Sequence, residues 1–130
     1  MKEITGIKET CLYIHDLEGA RRFYHTILGF PVIHYEPGKH CFFRVGHSVL
    51  LCFNPGDSKE KESPPPHFAE GNQHVAFEVA AEKYAYAKKW FKDRSIPLID
   101  EIKWNSGQYS FYFRDPENNI LEIVPEGVWD

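Results

Sequence analysis

Gln73-His74-Val75-Ala76-Phe77-Glu78-Val79 is where the chain begins a second time. Neighbouring side chains of a strand point to opposite faces, so Val75, Phe77 and Val79 form an apolar set, with His74, Ala76 and Glu78 on the reverse. Helical spacing follows over residues 81–94, with Tyr84, Ala87 and Phe91 on one face, although Ala81 has no side chain that could cap the start. Strand-like runs then occupy 98–103, 110–114 and 120–124, parted by turns at 105–107 and 116–119.

The same order has already occurred upstream. Residues 6–15 read as a strand, Asp16 as an N-cap, and Ala20, Phe23, Tyr24, Ile27 and Leu28 recur at helical spacing until Gly29 stops them. Residues 30–35, 41–45 and 48–53 then read as strands around turns at Pro37-Gly38 and Gly46-His47. Phe30-Pro31-Val32-Ile33 matches Ile96-Pro97-Leu98-Ile99, and Phe42-Phe43-Arg44 matches Tyr112-Phe113-Arg114. Duplication of one β-α-β-β-β unit is the economical explanation. Between the copies, residues 54–72 hold Pro55-Gly56, a charged run and Pro64-Pro65-Pro66, and read as a loop or linker.

The bulk properties narrow the function. The chain has 130 residues, 42% hydrophobic and 26% charged, with net charge −4. That suits one compact domain or two small fused repeats. No basic stripe stands out, which speaks against nucleic acid as a partner. No apolar run is long enough to span a membrane, and the start at Met1 has no apolar signal segment. Cys11, Cys41 and Cys52 form no metal-binding or redox pair motif and sit in apolar strands, so buried reduced thiols in a cytoplasm are expected.

Strand alternation then picks out three polar residues. Leu12 and Ile14 form a helix-facing set, leaving Glu9, Cys11 and Tyr13 on the other face. Leu121 and Ile123 do the same in the last strand, leaving Ile120, Glu122 and Val124. Glu9, His74 and Glu122 thus fall on the faces turned away from the helices. Alone, Glu9 is an ordinary surface residue and His74 an ordinary strand histidine. Glu122, between Leu121 and Ile123, is harder to dismiss, because a carboxylate in an apolar strand is costly unless paired or metal-bound. One imidazole and two carboxylates make a borderline ligand set for a divalent ion.

At this point the chain resembles the vicinal-oxygen-chelate superfamily of glyoxalase I, fosfomycin-resistance thiol transferases, extradiol dioxygenases and bleomycin-binding proteins. The resemblance lies in Leu12-Tyr13-Ile14-His15-Asp16 with Phe23-Tyr24 and Leu28-Gly29-Phe30, in Gly71-Asn72-Gln73-His74-Val75-Ala76-Phe77, and in Tyr112-Phe113-Arg114-Asp115-Pro116-Glu117-Asn118-Asn119-Ile120-Leu121-Glu122. It implies an α+β fold of two βαβββ modules, residues 5–55 and 72–126 with a linker over 56–71. Their curved mixed sheets would form an open barrel-like cavity around one divalent metal ion (Zn, Ni, Mn, Fe or Co). The family's ligand positions fall on Glu9, His74 and Glu122. Glu9 departs from the His or Gln often found there, which favours Lewis-acid chemistry over ring cleavage with iron. A further ligand of glyoxalase I would fall near Leu51, which cannot ligate. A homodimer is also implied.

The expected activity is therefore that of a metal-dependent enzyme acting on a small oxygen-chelating substrate, of lyase, isomerase, thiol-transferase or ring-cleavage type. Glu122 and Tyr112 are the catalytic candidates, Tyr112 as proton donor. Arg44 and Arg114 are candidates for holding an anionic substrate group. His40, which shares strand parity with Arg44, and His67, which follows three prolines, are further substrate-binding candidates. His15, His25, His34 and His47 belong to no constellation and read as surface residues. Trp104 and Trp129 read as packing at the cavity mouth or an interface. The alternative is a non-catalytic small-molecule binder like the bleomycin-resistance proteins.

Overall fold

A computed structural model describes all 130 residues. The chain divides into two compact units, Met1–Gly71 and Asn72–Asp130. Unit 1 contains β1 (Glu9–Tyr13), α1 (Leu17–Arg21), β2 (Val32–Glu36), β3 (His40–Val45), β4 (Ser48–Phe53) and α2 (Pro55–Ser58). Unit 2 contains β5 (His74–Val79), α3 (Tyr84–Asp93), β6 (Asp100–Lys103), β7 (Tyr109–Arg114) and β8 (Ile120–Pro125). Each unit forms one four-stranded sheet, ordered β1-β4-β3-β2 and β5-β8-β7-β6. The first and last strands of each unit run parallel and the other pairs antiparallel, so the two sheets repeat one topology. No helix is long and apolar enough to cross a membrane.

In unit 1, Asp16 caps α1 by accepting from the Gly19 amide at 2.9 Å. The helix then widens into a π-helical turn over Arg22–Ile27, which helical periodicity had not foretold. Leu28 N–H reaches back to the Phe23 carbonyl at 2.9 Å. The wider turn lets the consecutive side chains Phe23 and Tyr24 both lie buried. Gly29 ends the helix in the left-handed region at φ 84°, and the Phe30 amide bonds the Tyr24 carbonyl while the two rings stack. The helix-side core holds Leu12, Ile14, Leu17, Ala20, Tyr24, Cys41, Phe43, Leu50 and Cys52. Cys11, expected to be buried like the other two thiols, lies half-buried because it faces the other side of the sheet.

Unit 2 builds its core from aromatic rings. Phe91 of α3 packs on Phe111 and Phe113 with centroids 5.2 and 4.5 Å apart. The uncapped start at Ala81 is a short 3-10 turn, Ala81–Lys83, before α3 proper. The segment read as a loop or linker contains α2, started by Asn54 accepting from the Gly56 amide, with Pro55 in the first turn. β1 and β6 are shorter than the runs read from sequence, because ladder pairing stops before the strand-like pattern does, whereas the other strands match their read bounds to within about two residues.

A buried turn fixes the join between β7, β8 and β5. Asp115 Oδ1 accepts from the amides of Glu117 and Asn119, each at 2.9 Å. Asn119 Nδ2 donates to Asp115 Oδ2 at 2.9 Å, and Asn119 Oδ1 accepts from the Gln73 amide at 3.0 Å. Asn118 takes a left-handed φ of 65°, which asparagine tolerates better than most residues. Asn119 therefore sets where β5, and with it His74, enters the ladder. Replacing Asn119 by Ala is expected to lower stability by about 2–3 kcal/mol by orphaning buried donors and acceptors. The exposed Asn105→Ala should cost less than about 0.5 kcal/mol. Urea unfolding of both variants would check this.

Candidate metal centre

Ladder register assigns each side chain on the open sheet faces a row. In unit 1, Glu9 pairs Val49, which pairs Arg44; Cys11 pairs Leu51, which pairs Phe42. In unit 2, His74 pairs Ile120, which pairs Arg114; Ala76 pairs Glu122, which pairs Tyr112. Glu9 and His74 thus hold equivalent positions in the two copies, as do Leu51 and Glu122. Three of these four positions carry a ligating group.

Unit 2 brings His74 and Glu122 together. His74 Nδ1 lies 2.9 Å from the Ile120 carbonyl. A carbonyl oxygen only accepts, so Nδ1 carries the proton and Nε2 presents a lone pair when the ring is neutral. That Nε2 is 3.3 Å from Glu122 Oε2. Glu122 is 5% exposed, and its Oε1 is buried without a hydrogen-bond partner. A buried carboxylate beside an imidazole lone pair, with one oxygen unsatisfied, calls for a cation between them. Donor distances of about 2.0–2.2 Å to one ion separate two donors by roughly 3 Å, so the pair fits a shared divalent metal. The His74–carbonyl bond is also the kind of support that orients a ligating histidine. Within neither unit do three His, Cys, Asp or Glu side chains form a metal-holding group. Glu9 belongs to unit 1, where it opens β1 and is exposed.

Tyr112 lies across the ladder from Glu122, its ring 6.2 Å from that of His74. Burial raises its phenol above the ordinary tyrosine value. A hydrogen bond from Ser110 works the other way, and the charge and hydrogen bonding of Glu122 raise it further. The phenol therefore keeps its proton at neutral pH. Ser110 is fully buried and accepts from Trp104 Nε1 at 3.0 Å. The sequence reading gave Trp104 only a packing role; shared strand parity with Ser110 was the available signal for this chain of donors. Trp104 also packs against Trp129, which is largely exposed.

The remaining candidates are placed as follows. Arg44 and Arg114 are both exposed on equivalent rows. Arg114 donates to the Asn118 carbonyl at 3.3 Å, inside its own turn. His40 is buried on the open face of unit 1, stacked on Phe42. His67 is half-buried, with Nδ1 2.6 Å from the Tyr13 hydroxyl and its ring 4.7 Å from Phe53. His34 is exposed, as read from the sequence, and its Nδ1 lies 2.7 Å from His40 Nε2.

The sequence model of the Glyoxalase/Bleomycin resistance protein/Dioxygenase superfamily matches residues 6–123. A crystal structure of lactoylglutathione lyase from Agrobacterium tumefaciens is 32% identical, with a TM-score of 0.91 over 97% of both chains. Metallothiol transferase FosB from Staphylococcus epidermidis is 23% identical over 125 residues, 93% of this chain and 82% of that protein. A glyoxalase/bleomycin resistance protein/dioxygenase from Nocardioides shares the fold at a TM-score of 0.75 and 23% identity, over 96% of this chain and 87% of that one. With one family model spanning nearly its whole length and two sheets of one repeated topology, this chain belongs to the glyoxalase/bleomycin resistance protein/dioxygenase superfamily.

Proposed function

We propose that this protein is a divalent-metal-dependent enzyme in which His74, Glu122 and Glu9 hold one ion (Zn, Ni, Mn, Fe or Co) and the substrate is a small molecule with neighbouring oxygens. The observation that carries this reading is the His74–Glu122 pair, with its fixed tautomer and its buried unsatisfied oxygen. Glu9 holds in unit 1 the ladder position that His74 holds in unit 2, and is the third ligand that the sequence resemblance implies. A bound ion supplies Lewis-acid polarisation of substrate oxygens and stabilises negative charge that develops on them.

The chain's own groups do the rest. Glu122 contributes negative charge and holds its oxygen toward His74. Tyr112 retains a transferable proton beside that carboxylate, and the bonds from Trp104 and Ser110 restrict where the phenol can point. Arg44 and Arg114 offer planar donors to an anionic substrate group, while His40 and His67 line the aromatic part of unit 1. Leu51 supplies no donor at the unit 1 position equivalent to Glu122. Two relatives carry names that denote thiol chemistry, lactoylglutathione lyase and metallothiol transferase. Adducts of small thiols are therefore the first substrates to screen, and a homodimer is the assembly we assign.

Protein prepared without chelator or added metal should carry close to an equivalent of Mn, Fe, Ni, Co or Zn that is missing from His74→Ala and from Glu122→Gln. Metal analysis beside circular dichroism decides it: folded variants with the parent's metal content would overturn the ligand set and leave a small-molecule binder as the reading. For any substrate the loaded protein turns over, Tyr112→Phe should retain the metal and lose roughly 10²-fold in kcat with little change in KM. A variant as fast as the parent would remove Tyr112 from the proton path.

A further inference from the structure

Tyr112 is reached by a hydrogen-bond path that begins outside β7. Trp104 stands just after β6, and its indole Nε1 donates to Ser110 Oγ at 3.0 Å. Ser110 lies on β7 two residues before Tyr112, shares its open face and is fully buried. Register places Ile102 opposite Ser110 and Asp100 opposite Tyr112, so Trp104 reaches Ser110 on the diagonal.

Several contacts hold Trp104 there. Its backbone closes the turn between β6 and β7, donating to the Gln108 carbonyl at 2.8 Å and accepting from the Gly107 amide at 2.9 Å. Gln108 Nε2 donates to the Glu126 carbonyl at 2.6 Å, and the Glu126 amide donates to the Val79 carbonyl at 2.9 Å. The turn is thereby tied to the segment that follows β8. Trp129 of that segment sets its ring edge to face against Trp104, with centroids 5.1 Å apart.

An indole N–H can only donate, and an ionised carboxylate can only accept. Between Trp104 and Glu122 stand two hydroxyls, each able to do both. Tyr112 is hydrogen-bonded to Ser110 on one side and to Glu122 on the other. With both ends fixed, only one arrangement fills every contact with a hydrogen. Ser110 accepts from Trp104 and donates to the phenol oxygen, and Tyr112 donates to Glu122. Turning the Tyr112 hydrogen toward Ser110 would leave two bare oxygens facing each other at Glu122.

We propose that Trp104 is a positioning residue for Tyr112: its indole N–H, relayed through Ser110 Oγ, orients the phenol so that the Tyr112 proton faces Glu122, while Gln108, Glu126 and Trp129 hold the indole in place. Its bearing on catalysis rests on the proton-donor role given to Tyr112 above. The relay itself needs neither metal nor substrate.

Tyrosine carrying ¹³C at Cζ, in the full-length protein in the presence of Zn²⁺, reads the hydrogen bond at the phenol oxygen. Tyr112→Phe identifies the Tyr112 resonance. Trp104→Phe keeps a ring against Trp129 and removes the N–H. That variant and Ser110→Ala should both move the Tyr112 resonance and leave that of the core residue Tyr24 in place. In the parent, the Trp104 indole N–H should exchange with deuterium roughly 10-fold more slowly than that of the exposed Trp129, a reading that needs no variant to fold. On any substrate that is turned over, Trp104→Phe should lower kcat roughly 5-fold at unchanged KM, the worth of one hydrogen bond. It should add nothing to the loss in Tyr112→Phe. An unmoved Tyr112 resonance in folded Trp104→Phe, a Trp104 N–H that exchanges as fast as that of Trp129, or losses that multiply in the double variant would each overturn the relay. A Tyr112→Phe protein as fast as the parent removes only the proton-donor role, and the resonances still decide the relay.

Discussion

A four-stranded sheet has two faces, and each unit here supplies one long helical segment to cover them. Parallel pairing of the first and last strands requires a crossover, and the helix in that crossover packs on one side. Large apolar side chains follow it there: Leu12, Phe43 and Leu50 in unit 1, and Phe111, Phe113 and Leu121 in unit 2. The opposite face must be built from residues that serve without a helical cover. It carries Glu9, His34, His40 and Arg44 in one copy, and His74, Tyr112, Arg114 and Glu122 in the other. The core is thus shaped by hydrophobic burial and the chemistry by what is left facing away from it.

The unsatisfied oxygen of Glu122 and the unpartnered nitrogen of His40 have the same physical meaning. Native proteins pair nearly all buried polar atoms, because each one left alone forfeits its hydration. Both atoms lie in sheets otherwise well satisfied, and both belong to residues with a nitrogen or oxygen donor within 3.3 Å.

Much of this arrangement was legible before any coordinates. Alternation in 74–79 and 120–124 separated helix-facing from open-facing residues, and the matched Phe-Phe-Arg and Tyr-Phe-Arg segments revealed the repeat. The Asp115–Asn119 turn was recognisable as a signature, but that its asparagine holds the Gln73 amide was not, since the partners are 46 residues apart. The π-helical turn was hidden because Phe23 and Tyr24 satisfy an ordinary helical pattern almost as well. His34 lies on the surface as read, but its contact with His40 depends on a bulge between Val32 and His34 that leaves no mark in composition. Trp104 looked like packing because tryptophan usually is, and only the Ser110 contact shows its N–H at work.

The register equivalence of Leu51 and Glu122 carries a consequence for how such a protein diverges. A strand residue's address is only its row and column in the ladder, and duplication copies every address. Once two copies exist, a ligand can be deleted from one by a single substitution while the backbone that displayed it persists. Leu51 occupies such an address with a side chain that cannot ligate: buried, apolar, and framed by Cys11 and Phe42 as Glu122 is framed by Ala76 and Tyr112. The duplicated scaffold therefore works as a keyboard on which donor number is rewritten one position at a time, with folding borne by the other face.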